Sequence, residues 1–238
     1  MIKTLDGKEW EEKELLKLML DDSFYYGYLG KHCLSSSAIK QMIKQGTWEY
    51  IPVEENQSLR DGRLIHLLTL EPHRVKELTF VGGTKASKNY KALSKIDAIS
   101  RELYTLGEYN KCQRIADAVV SDLEAFDILH GSKMEVPAIK MLSDLPVRGK
   151  ADILRPNQFI GDLKTTRNLE DTDGIIEYWG YDVQGAIYRD LFLVDSFVIV
   201  WVSKNTLEVK VQWLTDEQLN RGQEKYLKAL EQFKWEIL

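Results

Sequence analysis

Only two cysteines, Cys33 and Cys112, occur in the chain, which excludes zinc ribbons and all-cysteine iron–sulfur sites, since both need more thiolates. A bridge between the two is geometrically open, but a pair of free thiols in a reducing compartment is the simpler reading. Long apolar runs are also missing. No window approaches the roughly 18 residues of a membrane span, and the opening MIKTLDGKEWEEKELLKLML is too charged for a secretory signal. The expectation is a cytoplasmic protein that makes no use of a membrane. There is no excess of positive charge: 32 Lys and Arg stand against 37 Asp and Glu, net -5. That excludes a protein held to nucleic acid by bulk charge, but not one with a local basic groove. Low-complexity tracts, repeats and Pro/Gly/Ser-rich linkers are absent too, so disordered, collagen-like and coiled-coil classes drop out. What remains is 238 residues, 44% hydrophobic and 29% charged, the balance of a globular protein.

The pattern is helical at first. Residues 9–20 set Trp10, Leu15, Leu16, Leu18 and Leu20 among charges and read as an amphipathic helix. Tyr25, Tyr26 and Tyr28, beside Gly27 and Gly30, read as a loop or short strand. In LSSSAIKQMIKQG, serines precede Ile39, Met42 and Ile43, and Gly46 follows, which marks a capped helix. Residues 59–70 give a second helix, stopped at Glu71-Pro72. From Ser87 to Gly131 the pattern is helical with a break near Gly107. Lys85, Lys88, Lys91 and Lys95 recur there at helical steps, as a solvated face or a phosphate-facing stripe.

After Gly131 the character changes. MEVPAIKML, LPVRGKADIL and QFIGDLKTT read as successive strands, a long helix covers about 170–193, FVIVWV and LEVKVQW are two more strands, and 215–235 a closing helix. The expected fold class is α/β: one domain over 1–238, mainly helical in 1–130, with a mixed central sheet of about five strands over 131–238, flanked by helices.

The sharpest chemical feature is Gly149-Lys150-Ala151-Asp152 followed by Asp162-Leu163-Lys164. Charges inside strand-like runs cost stability unless they are paired or used. Neighbouring strands can bring Asp152 and Asp162 together at one end of a sheet. Close carboxylates repel unless a cation lies between them, and oxygen ligands suit Mg²⁺ or Mn²⁺. Lys164, two positions after Asp162, shares its sheet face, where an ammonium can orient water or stabilise charge on a phosphate. A surface ion pair would show the same Asp-x-Lys spacing. Gln184 and Tyr188 stand four apart on one helix face, able to anchor a phosphate oxygen or Lys164; Tyr188 also suits a core position with its hydroxyl at the rim. His66, in GRLIHLLTLEP, is either a hydrogen-bonded core histidine or an imidazole completing a carboxylate metal site.

Taken together, GRLIHLLTLEP, GKADI, DLKTT and YDVQGAIY resemble, in order, the motifs of the PD-(D/E)xK nuclease superfamily, and within it the RecE-type (exonuclease VIII-like) phage and prophage exonucleases. LSSSAIKQM resembles the start of that family's nuclease domain. The resemblance covers about residues 34–190 and implies the superfamily's restriction-endonuclease-like core. The activity it implies is metal-dependent 5′-to-3′ digestion of one strand at double-stranded DNA ends, leaving 3′ single strands for a single-strand annealing or recombinase partner. By the same resemblance Asp152 and Asp162 would be metal ligands together with the Leu163 carbonyl and His66, with Mg²⁺ as cofactor and Mn²⁺ able to substitute. Lys164 would be the catalytic lysine, and Gln184 and Tyr188 would match the superfamily's Gln-x-x-x-Tyr helix. Ser35 and Ser37 would stand where relatives hold the terminal phosphate, with Arg167 a possible second contact, or a solvated loop arginine. The proline that often precedes the first catalytic Asp is replaced by Ala151, and the usual helical acidic residue is not evident; Glu71 and Glu135 are the candidates.

Two other readings compete. Nucleases of CRISPR adaptation or helicase-linked types share these motifs, but commonly carry four cysteines for an iron–sulfur cluster. A catalytically inactive DNA-binding module would have no need of intact Asp152, Asp162 and Lys164. With no helicase-length extension in the sequence, a stand-alone enzyme is expected, and the resemblance implies a ring-shaped homo-oligomer, in a bacterial host's cytoplasm if phage-encoded.

Overall fold

The computed structural model describes residues 1–51, 56–96, 99 and 102–237. The chain opens on a small antiparallel ladder of β1 (Ile2–Lys3) and β2 (Glu9–Trp10), followed by α1 (Glu12–Leu18), a π-helix (Phe24–Tyr28) and α2 (Leu29–His32). The helix expected over 9–20 is therefore shorter, because Trp10 is buried as part of a strand. The tyrosine-rich stretch is helical rather than loop or strand. Its aromatic spacing explains this: Phe24 and Tyr28 stack at 5.3 Å and both pack edge-on against Trp10.

The capped helix is present as α3 (Ser36–Gln45), preceded by β3 (Leu34–Ser35). The Ser35 hydroxyl accepts the Ala38 N–H at 3.2 Å, and Gly46 closes the helix at φ +80°. Asn56 caps α4 (Gln57–Leu70) in the same way. Beyond β4 (Thr79–Val81) the stretch expected as helix from 87 to 131 is instead α5 (Lys88–Leu93), β5 (Leu103–Thr105), α6 (Leu106–Ser121) and α7 (Leu123–Leu129); positions 97–98 and 100–101 lie outside the described residues. The interruption falls before Gly107. Thr105 and Glu108 form a reciprocal capping box that starts α6 there. The four lysines consequently share no single helix face: Lys88 and Lys91 lie in α5, while Lys85 precedes it and pairs with Glu108 at 2.9 Å.

The rest of the chain supplies the sheet, β6 (Lys133–Leu142), β7 (Leu145–Arg155), β8 (Phe159–Thr166), β9 (Ser196–Ser203) and β10 (Val209–Trp213), with helices α8 (Thr172–Trp179), α9 (Tyr181–Phe192) and α10 (Asp216–Ile237). The long helix expected over 170–193 is two helices, broken at Gly180 (φ +64°), where a Cβ would come within 2.9 Å of the Lys40 side chain. The sheet has six strands, the five expected plus the two-residue β3. Alternation along β9 places Phe197, Ile199 and Trp201 with α3, α9 and α10, and Val198, Val200 and Val202 with α4, α6 and α7. A strand buried on both faces needs apolar residues throughout, hence FVIVWV. Both cysteines are free and buried, in different clusters, and burial pushes each thiol up to about 12. Among the described residues no helix is long and apolar enough to cross a membrane.

One topological feature prepares the site. Strand β6 follows one edge of β7 along its length, but the other edge is divided: β3 pairs with Val147–Arg148 and β8 with Ile153–Arg155. Between them, Gly149–Asp152 has no strand on that side, and β8 beyond Gly161 is paired only with β9.

Candidate active site

The split between β7 and β8 leaves the Leu163 N–H without a strand acceptor, and the Asp152 carboxylate takes that place, accepting it at 2.9 Å. A buried amide must find a partner, so this bond fixes the Asp152 side chain across the gap. From the other side, His66 of α4 brings Nδ1 to 3.3 Å from Asp152 Oδ2. Glu135 of β6 stands opposite in the register, between the pairs Met134–Ile153 and Val136–Ala151, at a left-handed φ of +52°. That conformation is costly for a non-glycine residue and recurs at functional sites. His66, Glu135 and Asp152 each offer a ligand atom within 4.8 Å of the others.

Asp162 forms a second, linked group. Its side chain is buried, with Lys164 ion-paired to Oδ2 and the Gln184 amide donating to Oδ1 at 2.6 Å. Lys164 and Lys40 lie on the ring of Tyr181, 5.1 and 5.2 Å from its centroid. Tyr188, one turn beyond Gln184, donates to the Lys150 carbonyl at 3.0 Å. Gln184 and Tyr188 therefore do share a face, but they hold Asp162 and the β7 backbone rather than Lys164. Gly149 allows this approach, since a Cβ there would meet Tyr188 and Leu191 at 2.9 Å.

The electrostatics are those of carboxylates crowded out of water. Burial and the Asp162 charge raise Asp152, with His66 and Lys164 opposing, and burial and Asp152 raise Glu135. Burial alone would lower Lys164, but Asp162 and Asp152 outweigh it and keep the ammonium charged. Lys40 is pulled down to about 8 by burial and by Lys164. Oxygen donors plus one imidazole, with buried carboxyls raised by mutual repulsion, fit a hard divalent cation.

The remaining sequence candidates are scattered around this centre. Glu71 pairs with Arg74 at 3.1 Å and stands outside the His66–Glu135–Asp152 group. Ser35 is occupied in capping α3, Ser37 is exposed, and Lys40 follows Ser37 by three residues on the same helix. Arg167 lines a polar cleft with Lys111 and Lys204. Sequence reasoning missed Lys40 and Tyr181. The one available signal was the lysine in SSSAIKQM, which there looks like an ordinary polar helix position. Arg148 also escaped notice: it is buried, donates to the Leu29 carbonyl at 3.2 Å and lies 4.1 Å over the Tyr25 ring.

Among solved structures, one described as a "putative exonuclease" from Eubacterium rectale is similar at 18% identity and TM-score 0.62, covering 95% of this chain and 87% of that one. A "phage related exonuclease" from Haemophilus somnus 129PT is 13% identical with TM-score 0.41, covering 90% of this chain and 88% of that one. No curated protein matches the chain. Residues 29–237 match the PDDEXK-like domain of unknown function DUF3799, a span that holds the split sheet, His66, both aspartates and Lys164, and the chain belongs to that family.

Proposed function

We propose that the protein is a Mg²⁺-dependent deoxyribonuclease that degrades one strand of linear double-stranded DNA from the 5′ end and leaves 3′ single strands. The single observation that carries this reading is the linkage of the His66–Glu135–Asp152 group to Asp162–Lys164 through the Leu163 amide. The described nature of the Eubacterium rectale protein supports the exonuclease form of it.

His66, Glu135, Asp152, Asp162 and the Leu163 carbonyl would hold Mg²⁺, with Mn²⁺ able to replace it. Such an ion supplies a water acidic enough to attack at neutral pH and offsets phosphate charge. Lys164 keeps its proton beside Asp162, so it can orient the attacking water and donate to the phosphate oxygens. Gln184 is a positioning residue that leaves Asp162 one orientation. Tyr188 positions β7 two residues before Asp152. Lys40, near neutrality at its depressed pKa, faces the same cleft and can grip a phosphate. Ser37 and the N–H groups opening α3 suit a terminal 5′-phosphate. A ring-shaped homo-oligomer would keep hold of the duplex, and its 3′-tailed product suits a single-strand annealing protein.

The test is linear duplex labelled at either the 5′ or the 3′ end, with and without Mg²⁺. The reading expects early release of 5′ label as small products, retained 3′ label and no digestion in chelator. Early release of 3′ label, or undiminished digestion in excess chelator, would overturn it.

A further inference from the structure

The carboxyl ends of β8 and β9 build a second polar feature. These parallel strands finish in register at Thr166 and Ser203, so Arg167 and Lys204 leave the sheet side by side. Their loops are stitched together. The Ser203 hydroxyl donates to the Arg167 carbonyl at 3.1 Å and accepts the Asn205 and Thr206 N–H groups, while the Lys204 N–H donates to the Thr166 carbonyl at 2.8 Å. Crevices outside the carboxyl ends of parallel strands are where α/β sheets take ligands. Here the crevice is a cleft of about 240 Å³ lined by Ser58, Asp61, Lys111, Arg167, Lys204 and Asn205.

Its charge is positive. Asp61, the one carboxylate in the lining, is buried and already taken by Lys111 at 2.7 Å and by Gln57 at 2.6 Å. Lys204 donates only to a neutral group, the Ser58 hydroxyl at 3.2 Å, and no carboxylate of the described residues pairs with Lys204 or Arg167. Two rigidly held cations and a hydroxyl at the start of α4 make a receptor for a phosphate.

The cleft is aligned with the catalytic centre. Ser58, Gly62 and His66 recur every fourth residue along one face of α4. At ~1.5 Å per residue, Ser58 is about 12 Å from His66 along the helix axis, and Gly62 between them presents open space. Charges on one DNA strand recur every ~3.4 Å of axis, so the separation is about three to four phosphates. We propose that this cleft is a phosphate subsite that grips the nucleic-acid strand a few nucleotides from the bond being cut. The inference rests on the nuclease reading above and adds to it a place where the strand is held.

The test uses an Arg167→Gln/Lys204→Gln double variant, which leaves the Lys111–Asp61 pair intact. Binding to fluorescent duplex ends, 5′-phosphorylated or 5′-hydroxyl, is measured in chelator over a range of salt. The expected result is a Kd raised about tenfold or more and a salt slope shallower by about two. Thermal unfolding should be unchanged, and Lys204→Arg should keep most of the affinity. Equal loss on both ends assigns the site to a backbone phosphodiester; loss confined to phosphorylated ends assigns it to the terminal phosphate. Wild-type Kd and slope in the double variant, from a parent that binds and digests DNA, would overturn the subsite alone. A parent that neither binds nor digests DNA would overturn the nuclease reading and the subsite with it.

Discussion

The Gln184 side-chain amide of α9 donates to Asp162 Oδ1 at 2.6 Å while Lys164 holds the other oxygen. Two neighbours on one buried carboxylate leave it no freedom to turn, so the site is organised from behind as well as from the cleft. Asp162→Ala and Lys164→Ala should each abolish cleavage with the fold retained by circular dichroism. Asp162→Ala keeping more than about a tenth of wild-type rate would remove its proposed role, since losing a direct ligand costs several kcal/mol in the transition state. Gln184→Ala should fall only about 10–100-fold, as expected for a group that orients a ligand.

Metal should stabilise the folded protein without DNA present. Mg²⁺, Mn²⁺ or Ca²⁺ binding at His66, Glu135 and Asp152 raises Tm by mass action, and Asp152→Asn should erase the shift. Ca²⁺ should bind without turnover. In chelator the sign of the pH effect is set by Glu135, whose folded pKa lies above its ordinary value because of burial and Asp152. The folded state then binds more protons than the unfolded state above the ordinary carboxylate range, so stability falls as pH rises from about 4.5. Thermal melts from pH 5 to 8 should show that fall, and Glu135→Gln should flatten it.

Gly149 and Tyr188 test the backbone behind Asp152. Gly149→Ala places a Cβ at 2.9 Å from Tyr188 and Leu191, so it should destabilise by about 1–3 kcal/mol, as overpacking does. It should also lower kcat by shifting the strand that carries Asp152. Tyr188→Phe loses one hydrogen bond, at 3.0 Å to the Lys150 carbonyl, and should cost about 1 kcal/mol in urea unfolding. A Gly149→Ala protein with wild-type stability would show that β7 yields freely here.

The 5′ end should be preferred when phosphorylated. Ser37→Ala should reduce that preference while leaving metal-dependent chemistry in place, and equal wild-type rates on phosphorylated and hydroxyl ends would remove the assignment. Ser35→Ala needs a stability control. The Ser35 hydroxyl caps α3, and losing such a cap costs about 0.5–2 kcal/mol.

The alternation of FVIVWV, the capped LSSSAIKQMIKQG helix and the Asp152…Asp162-x-Lys164 spacing are local statements, and the sequence alone determined the α/β class, the strands and the residues of the centre. Periodicity and capping act over a few residues, so they survive without knowledge of the fold. The divided edge of β7 is different. It depends on a two-residue strand, Leu34–Ser35, that has no pattern of its own and exists only because β7 offers it a partner. The same holds for the break at Gly180, for Glu135 beside Asp152 at φ +52°, and for Lys40 against Tyr181. Each arises where distant segments meet, and the meeting, decided by burial and backbone hydrogen bonding, is written in the tertiary structure and in no single stretch of sequence.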